Sequence, residues 1–490
     1  MNAYFVSQIT AGVLSWVDVA IIFLSIAVLL LISYFSGRNE KDTGDFFLGG
    51  KSVPSIVACL SFVATEVSAL TIIGVPSVAF SENWQYLQFF VGSAAARIVV
   101  AFLFIPVFYK YNCTSIYEYL KHRFGPETQY TGSAFFFVTR LIASGVRLYA
   151  TCMAVAYVLG WNLGVAILLF TITSIAFIAF GGIKAVVWAG AYQAAFFFIA
   201  GLSLLFYLFF QIDGGFGAVW HIANDAGRLS VFKFDFNLND PTTFWAGTAN
   251  AFFLGLAIFG TDQEMMQRLL TVKTRKSSQR TAISTIFGAL PVLCLYLSIG
   301  TLLYVFYHQN PDIAGPGEIK YVLPHFITNS LPIGLKGLML SAIILASIDS
   351  PLSSLASSFV TDIYRPLIKK AASEKHYLFV SRCGVAGFGI VLGLIALACE
   401  PVENILWFAF EIVSITGGAT LGVFLLGLLT KRVSNRANVF AMITSTLLMM
   451  ILLVLYHAGV ISLAWSWLIV IGTATTLVLS YITGSIFGQK

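Results

Sequence analysis

The sequence predicts an all-α polytopic membrane protein with about thirteen transmembrane helices. Of its 490 residues, 58% are hydrophobic and only 10% are charged, whereas a soluble domain carries roughly 25% charged residues. The mean hydropathy is +0.87. About thirteen apolar runs are each long enough to cross a hydrocarbon core of about 30 Å. Irregular backbone cannot face lipid, so each run is predicted to be helical.

The apolar runs follow one another along the whole chain, which predicts one transmembrane transporter domain over residues 1–490. The first run has no basic segment before it and no small-residue cleavage site after it. It is therefore interpreted as a retained helix and not as a signal peptide. The predicted spans are about 16–36, 52–80, 85–109, 131–159, 163–182, 186–211, 243–261, 281–307, 334–361, 378–399, 402–430, 436–456 and 461–486.

Lysine and arginine residues are concentrated in alternate loops. They crowd the loops that follow odd-numbered spans, such as 268–280 and 365–375, whereas the loops of the other side hold only Arg228, Lys233 and Lys320. Basic loops remain in the cytoplasm. The N-terminus is therefore predicted to lie outside and the C-terminus in the cytoplasm, in a plasma membrane or a bacterial inner membrane.

Several ionisable residues lie within the apolar runs, where each costs about 2.5–3.5 kcal/mol and is a functional candidate. Glu66 in span two, Arg147 in span four and Asp349 in span nine fall near one depth, about the middle of the bilayer. The alternative is that these groups form internal salt bridges with no role in transport. This alternative is favoured most for Arg97 and Arg140, which lie nearer to the ends of their spans and have side chains long enough to reach toward the membrane surface.

The stretch LASIDSPLSSLASSF, residues 345–359, places hydroxyl groups and a carboxylate inside a membrane span. Ser347 and Ser350 lie close to Asp349 at helical spacing, and such oxygen groups suit a hard cation. Pro351 has no N–H, so the carbonyl of Ser347 loses its helical donor. These features predict a cation site. A tight helix–helix seam built on serines is the alternative.

Two spans have interruptions that are typical of broken helices. Span two contains ATEVSALTIIG, residues 64–74, and span seven contains Gly255 and Gly260. A broken helix offers carbonyls to a cation and N–H groups to an anionic solute, as in transporters built from inverted repeats. If the two spans correspond, spans 2–6 and 7–11 form two core repeats, about 52–211 and 243–430.

Six strings distributed over nearly the whole chain resemble the sodium–solute symporter family. They are DFFLGGKSVPSIV, FIPVFYKYNCTSIYEYLKHRFG, GGIKAVVWAGAYQ, GTDQEMMQRLLTVKTRKSSQRT, SSLASSFVTDIYRPL and GGATLGVFLLGLLTKRVSNRA. The resemblance implies the LeuT-type fold of two inverted five-helix repeats, with spans two and seven discontinuous. It also implies symport of a small organic solute with Na⁺ by alternating access, and no organic cofactor.

The resemblance also implies where Na⁺ binds. The family's ligands fall on the carbonyls of Ala64, Val67 and Ile343, and on the side-chain positions Ala346 and Ser347. Relatives often have a hydroxyl at position 346, which alanine does not provide.

A second departure concerns the aspartate that relatives with two sodium ions carry in the fifth core helix. This position is Gly190 here, whereas the position of a sodium-site serine is Asp349. We therefore expect the carboxylate to have moved from 190 to 349, with Ser350 beside it. Glu66 matches an aspartate of the family's proline permeases, which implies a role in ion binding or its gating.

The solute is expected beside the breaks in spans two and seven. In the family's sialic acid transporters an arginine holds the substrate carboxylate at the position of Ala143, and Arg147 lies one turn away. A guanidinium pairs well with a carboxylate, which favours a carboxylate-bearing solute. Pairing of Arg147 with Glu66 or Asp349 is the alternative. The candidate contacts are Ser68, Thr71, Phe90, Arg147, Gly255 and Phe259.

Other functions are weighed on the same features. Transport of a neutral solute such as a sugar, polyol, vitamin or amino acid remains an alternative. Coupling to protons is another, because a buried carboxyl group can carry protons. A channel or receptor is less favoured, because the polar groups lie at one depth and do not line a continuous pore. An enzyme is not expected, since no histidine lies at bilayer depth. The expected partners are the solute, Na⁺ and the lipid bilayer, with no nucleic acid, and the chain is expected to act as a monomer.

Overall fold

The computed structural model describes residues 14–37, 43–68, 70–313, 315–348, 351–399, 405–431 and 435–486. Over these ranges the secondary structure is helical, and β-pairing is limited to one isolated bridge. Nine helices are long and apolar enough to cross a membrane, and two bent helix pairs raise this number to as many as 11. Two shorter apolar helices, Leu163–Ala179 and Leu335–Ala346, fall on the remaining predicted spans. The described helices are therefore consistent with thirteen spans.

The predicted spans coincide with fifteen described helical segments. Spans two and seven are each bent into two helices, span nine has a described helix on either side of residues 349–350, and spans five and six fall on one helix. The helices in chain order are α1 Trp16–Gly37, α2 Ser55–Glu66, α3 Leu70–Ser81, α4 Gln85–Tyr111, α5 Pro126–Leu159, α6 Leu163–Phe210, α7 Phe244–Gly260, α8 Gln263–Leu270, α9 Arg275–Gln309, α10 Leu335–Ile348, α11 Leu352–Ser358, α12 Glu374–Ala398, α13 Ile405–Leu429, α14 Asn435–His457 and α15 Leu468–Ile486. Shorter segments include Thr43–Leu48, Tyr117–Arg123, Gly215–Asp225 and Val322–Ser330, and α11 continues into the π-helical segment Phe359–Ile368.

The two discontinuous spans predicted from the sequence are present. Helices α2 and α3 meet at an angle of 55°, and α7 and α8 meet at 58°. The two broken units are joined by a parallel bridge between Val53, just before α2, and Val272, just after α8. The N–H of Val53 donates to the carbonyl of Thr271 at 3.3 Å. The start of one broken unit is therefore fixed to the end of the other.

The loop predicted between spans five and six is much shorter in the structure. The single helix α6 covers both spans, and only Gly182 departs from helical geometry, with φ 49° and ψ −162°. A positive φ is accessible to glycine without steric cost. The chain therefore turns within one or two residues, and both halves of α6 pack against other core helices.

Helix α6 lies against α2 at Gly190, the position where relatives with two sodium ions carry an aspartate. A Cβ atom at Gly190 would lie 2.5 Å from Ser61 Oγ and 3.0 Å from Ser61 Cα. No side chain fits at that distance without displacement of one helix. The close packing of α6 on α2 gives a physical reason why this position holds no carboxylate.

We expect Gly190→Ala to destabilise the protein, because the added methyl group forces α6 away from Ser61. Overpacking of this kind costs about 1–3 kcal/mol, so the melting temperature of the purified protein should fall. Gly387→Ala is the matched control, since Gly387 is an exposed residue of α12 and a Cβ there meets no atom within 4 Å. This control should melt at or slightly above the wild-type temperature. Equal melting of both variants would contradict the packing argument.

Candidate functional site

Helical hydrogen bonding stops at the end of α2, where the sequence places two carbonyl ligands of Na⁺. The N–H of Ser68 donates to the carbonyl of Glu66 at 3.0 Å and not to that of Ala64, four residues back. The N–H of Thr71 donates to the carbonyl of Ser68 at 2.9 Å and not to that of Val67. The carbonyls of Ala64 and Val67 therefore lack their usual helical donors, which makes them suitable ligands for a cation.

The second break brings two carboxylates to the start of α8. Asp262 is the N-cap residue, and its side chain accepts the N–H of Glu264 at 2.8 Å. The carbonyl of Thr261 accepts the hydroxyl of Tyr117 at 2.8 Å. The break is thus held by a side-chain cap on one side and a tyrosine from another segment on the other.

A cavity of about 220 Å³ lies between the two breaks. The structure brings all six predicted solute contacts into its wall, together with Glu66 and Val67. These six residues are Ser68, Thr71, Phe90, Arg147, Gly255 and Phe259. Because the cavity combines apolar walls with a few polar groups, it has the character of a small-molecule site.

Aromatic rings form much of the cavity wall. The lining includes Tyr86, Phe89, Phe90, Phe259 and Phe410. The rings of Tyr86 and Phe410 are stacked with centroids 6.2 Å apart, and those of Tyr86 and Phe89 lie 5.8 Å apart. A solute in this cavity therefore contacts ring faces on one side and the polar break of α2 on another.

Arg97 is a buried partner of Glu66. It is 0% exposed and forms an ion pair with the Glu66 carboxylate. Its guanidinium carbon lies 4.6 Å from the ring centroid of Phe259 and 5.6 Å from that of Phe90. Arg97 thus forms the internal ion pair predicted as the alternative, and it does not reach toward the membrane surface, because a carboxylate and two ring faces compensate its charge inside the protein.

Arg140 also forms the internal ion pairing predicted as the alternative. Arg140 is 6% exposed, forms an ion pair with Asp262, and lies 2.6 Å from Glu264 through its Nη1 atom. Sequence reasoning missed both carboxylates because the predicted span seven ends at residue 261. The available signal was Asp262 followed by Glu264 in GTDQEMMQR directly after an apolar run, because an N-cap aspartate with an acid in the first turn is typical of a helix start.

Arg147 connects α5 with both breaks. Its Nη2 donates to the carbonyl of Thr65 at 2.8 Å, and its Nη1 lies 3.8 Å from the Glu264 carboxylate. This ion pair differs from the predicted alternatives, Glu66 and Asp349, of which the second lies outside the described residues. Arg147 also lines the cavity, so the ion pair and contact with a solute are compatible.

The other predicted Na⁺ residues belong to span nine. Ile343 is 0% exposed in α10. The carbonyl of Leu345, two residues later, accepts a hydrogen bond of 2.8 Å from Gln193 Nε2 of α6. This bond fixes the C-terminal turn of α10 against α6. Ser347 is part of the same helix, whereas Asp349 and Ser350 lie outside the described residues.

Ala346 lines a second cavity of about 30 Å³ together with Ser144 and Arg147. This volume is about that of one water molecule in the liquid. Arg147 is thus a wall of both cavities and separates the solute-sized space from the C-terminal end of α10. The arrangement puts one cationic side chain between the two regions that the sequence assigns to solute and ion.

Comparisons with known proteins agree on one class of transporter. A model of the sodium:solute symporter family matches residues 46–471. The sodium/sialic acid symporter SiaT of Proteus mirabilis is 28% identical over 446 residues, 88% of each chain. The sodium-coupled monocarboxylate transporter 1 of Xenopus laevis is 27% identical over 438 residues, 86% of this chain and 70% of that protein. A solved substrate-bound outward-open structure of a Na⁺-coupled sialic acid symporter matches with a TM-score of 0.87 and 27% identity, over 97% of this chain and 99% of that one.

We expect Glu264→Gln to lower the stability strongly, because Arg140, Arg147 and Arg268 all have ion-pair contacts with this one buried carboxylate. Removal of one partner from a buried ion pair costs about 3–5 kcal/mol, so the melting temperature should fall by many degrees. Glu318→Gln is the control, because its ion pair with Lys320 at 2.9 Å lies at the surface and contributes about 0–1 kcal/mol. A melting temperature for Glu264→Gln close to that of the control would refute the structural importance of the cluster.

Proposed function

This chain belongs to the sodium:solute symporter family, and on that premise we propose that it imports a small carboxylate-bearing solute together with Na⁺. It is a Na⁺-coupled symporter of a small organic solute, with the LeuT-type fold and no enzymatic activity. It is a multi-pass membrane protein, and Na⁺ is its coupling ion. The proposal concerns the chemistry of the solute, the residues that hold it and the ligands of the ion.

The main observation in support of a carboxylate-bearing solute is that Arg147 lines the cavity between the two helix breaks. Its guanidinium is positioned by the carbonyl of Thr65 and by Glu264, so it needs little reordering to accept a carboxylate. Ser68 and Thr71 line the same wall, and because the Thr71 hydroxyl donates to the carbonyl of Glu66, it is left to accept a hydrogen bond from the solute. The relatives above are symporters of sialic acid and of monocarboxylates, and both kinds of solute bear a carboxylate.

We propose that Na⁺ is held between the break of α2 and the C-terminal part of α10. The carbonyls of Ala64 and Val67 have lost their helical donors, and they provide oxygen ligands of the kind that hard cations prefer. The carbonyl of Ile343 is the third proposed ligand. The side chains of Ser347, Asp349 and Ser350 complete the proposed set on the basis of the sequence.

Sidedness and assembly are proposed from the sequence pattern. The concentration of basic residues in alternate loops supports an N-terminus outside and a C-terminus in the cytoplasm of a plasma or bacterial inner membrane. Side-specific labelling of cysteines introduced into opposite loops tests this orientation. The chain is proposed to work as a monomer in the bilayer, with core repeats of about 52–211 and 243–430.

We expect acids, but not neutral sugars, to stabilise the purified wild-type protein against heat in NaCl. Lactate and N-acetylneuraminate serve as acids and glucose as the neutral probe, with choline chloride replacing NaCl to test ion dependence. Arg147→Ala should weaken acid binding by about tenfold to a hundredfold, because a hydrogen-bonded charge is lost. Arg147→Lys keeps the charge but not the forked geometry and should give an intermediate affinity. Equal stabilisation of the wild type by acids and glucose would refute the carboxylate proposal.

We expect Ala346→Ser to increase the affinity for Na⁺, because it adds a hydroxyl where relatives often have one. One added ligand corresponds to roughly 1 kcal/mol, or about a fivefold lower half-saturating Na⁺ concentration. Ala474→Ser is the control, since Ala474 is an exposed residue of α15, a helix that contributes no residue to the lining of either cavity. An unchanged Na⁺ half-saturation in a stable Ala346→Ser variant would place the ion away from α10.

A further inference from the structure

The ion pair between Glu66 and Arg97 shows only its carboxylate to the cavity. The side chain of Glu66 is 28% exposed and lines the cavity, whereas that of Arg97 is 1% exposed. Arg97 lies behind the wall, close to the rings of Phe90 and Phe259. A solute in the cavity therefore meets the acceptor half of the pair and not the donor half.

The Glu66 carboxylate has unused capacity to accept hydrogen bonds. A carboxylate offers about four lone-pair positions, and Arg97 Nη2 donates to Oε1. Oε2 is buried and accepts no hydrogen bond from any part of the chain that the structure describes, so a solute reaches the carboxylate through Oε1, which keeps a lone pair beside its bond from Arg97. An acceptor that stays unsatisfied in a water-poor site costs about 1–3 kcal/mol, and more when it is charged. A solute that supplies a donor here gains affinity relative to one that does not.

The geometry points to Glu66 as a specificity-determining residue that accepts a hydrogen bond from a hydroxyl or amide group of the solute. The inference rests on the proposed function, and it narrows the solute to carboxylates that also carry such a neutral donor. An ammonium group fits less well, because Arg97 already neutralises Glu66 and a second cation beside it would be repelled. Simple unsubstituted monocarboxylates are the solutes that this site should bind poorly.

The position of Glu66 distinguishes this role from the ion-binding role implied by sequence resemblance. Its side chain shares the wall of the large cavity with Ser68 and Thr71. Ala346, a proposed neighbour of the ion, lines the smaller cavity instead. The carbonyls of Ala64 and Val67 serve the ion through the main chain, whereas the side chain between them faces the solute.

Matched pairs of acids test the inference on the full-length purified protein in saturating NaCl. Lactate is compared with propionate, and gluconate with hexanoate, so that each pair shares a carbon skeleton and differs in hydroxyl groups. Binding is measured by thermal shift and by calorimetry. We expect the hydroxylated acid of at least one pair to bind about tenfold or more tightly than its partner in the wild type.

In Glu66→Gln we expect this preference to fall about tenfold. The glutamine carbonyl oxygen would take the place of Oε1 beside Arg97, and a neutral amide oxygen accepts a weaker hydrogen bond from the solute than a charged carboxylate oxygen does. The half-saturating Na⁺ concentration should stay unchanged. Glu411→Gln is the matched control: Glu411 is a buried acid of α13 that contacts His457 at 3.0 Å. Its acid preference should equal that of the wild type.

Two results would overturn the inference. One is a wild type with no preference for the hydroxylated acid in either pair. The other is a Glu66→Gln variant that keeps the preference, and a rise in its half-saturating Na⁺ concentration would then assign Glu66 to the ion. If Glu66→Gln does not fold because Arg97 is left uncompensated, the double variant with Arg97→Met removes both charges and carries the same comparison.

Failure of the carboxylate proposal gives a different result. Sorbitol is the neutral counterpart of gluconate. If the wild type binds the two equally well, the role proposed for Arg147 is contradicted, but the role inferred for Glu66 is not. The role of Glu66 is then judged on sorbitol itself. Weaker sorbitol binding by Glu66→Gln than by Glu411→Gln supports the inference, and equal binding overturns it.

Discussion

The structure depends on how main-chain polar groups are satisfied where two membrane helices break. The membrane interior offers no water to replace a lost helical hydrogen bond. At the end of α2, Arg147 donates to the carbonyl of Thr65, and the hydroxyl of Thr71 donates to that of Glu66 at 3.2 Å. At the break between α7 and α8, the hydroxyl of Tyr117 donates to the carbonyl of Thr261. Side chains thus donate hydrogen bonds to some of the carbonyls that lack a helical donor. The carbonyls that receive no such bond form the proposed ion site.

Charge compensation determines how these breaks are held relative to each other. Glu264, at the start of α8, contacts guanidinium groups of α5 and of α8 itself. Buried ion pairs contribute little net stability, but they are costly to separate. A rearrangement that moves α8 away from α5 must break these contacts or exchange them. The cluster therefore favours discrete arrangements over continuous deformation, which is what alternating access requires.

The helices could be predicted from the sequence because they follow from local patterns, whereas the cavity wall was predicted from the resemblance to the symporter family. Polar interruption of an apolar run predicted the breaks, and Ser68 and Thr71 were placed beside one of them. Asp262 and Glu264 were missed because an acid at the end of an apolar run resembles a loop residue. The burial of Arg97 was missed because distance along a helix does not reveal a partner on another helix. Long-range pairing of charges depends on tertiary packing, which one sequence without relatives does not encode visibly.

Arg97 joins the cavity wall by direct contact to the break of α2, where we propose that Na⁺ binds. Its guanidinium lies over the rings of Phe90 and Phe259 and pairs with Glu66. Glu66 is the last residue of α2, so its main chain is continuous with the carbonyls of Ala64 and Val67. A solute that shifts either ring or hydrogen-bonds to Glu66 therefore acts on the geometry of those carbonyls through two contacts. Because binding linkage is reciprocal, an ion that orders the same carbonyls positions Glu66 for the solute.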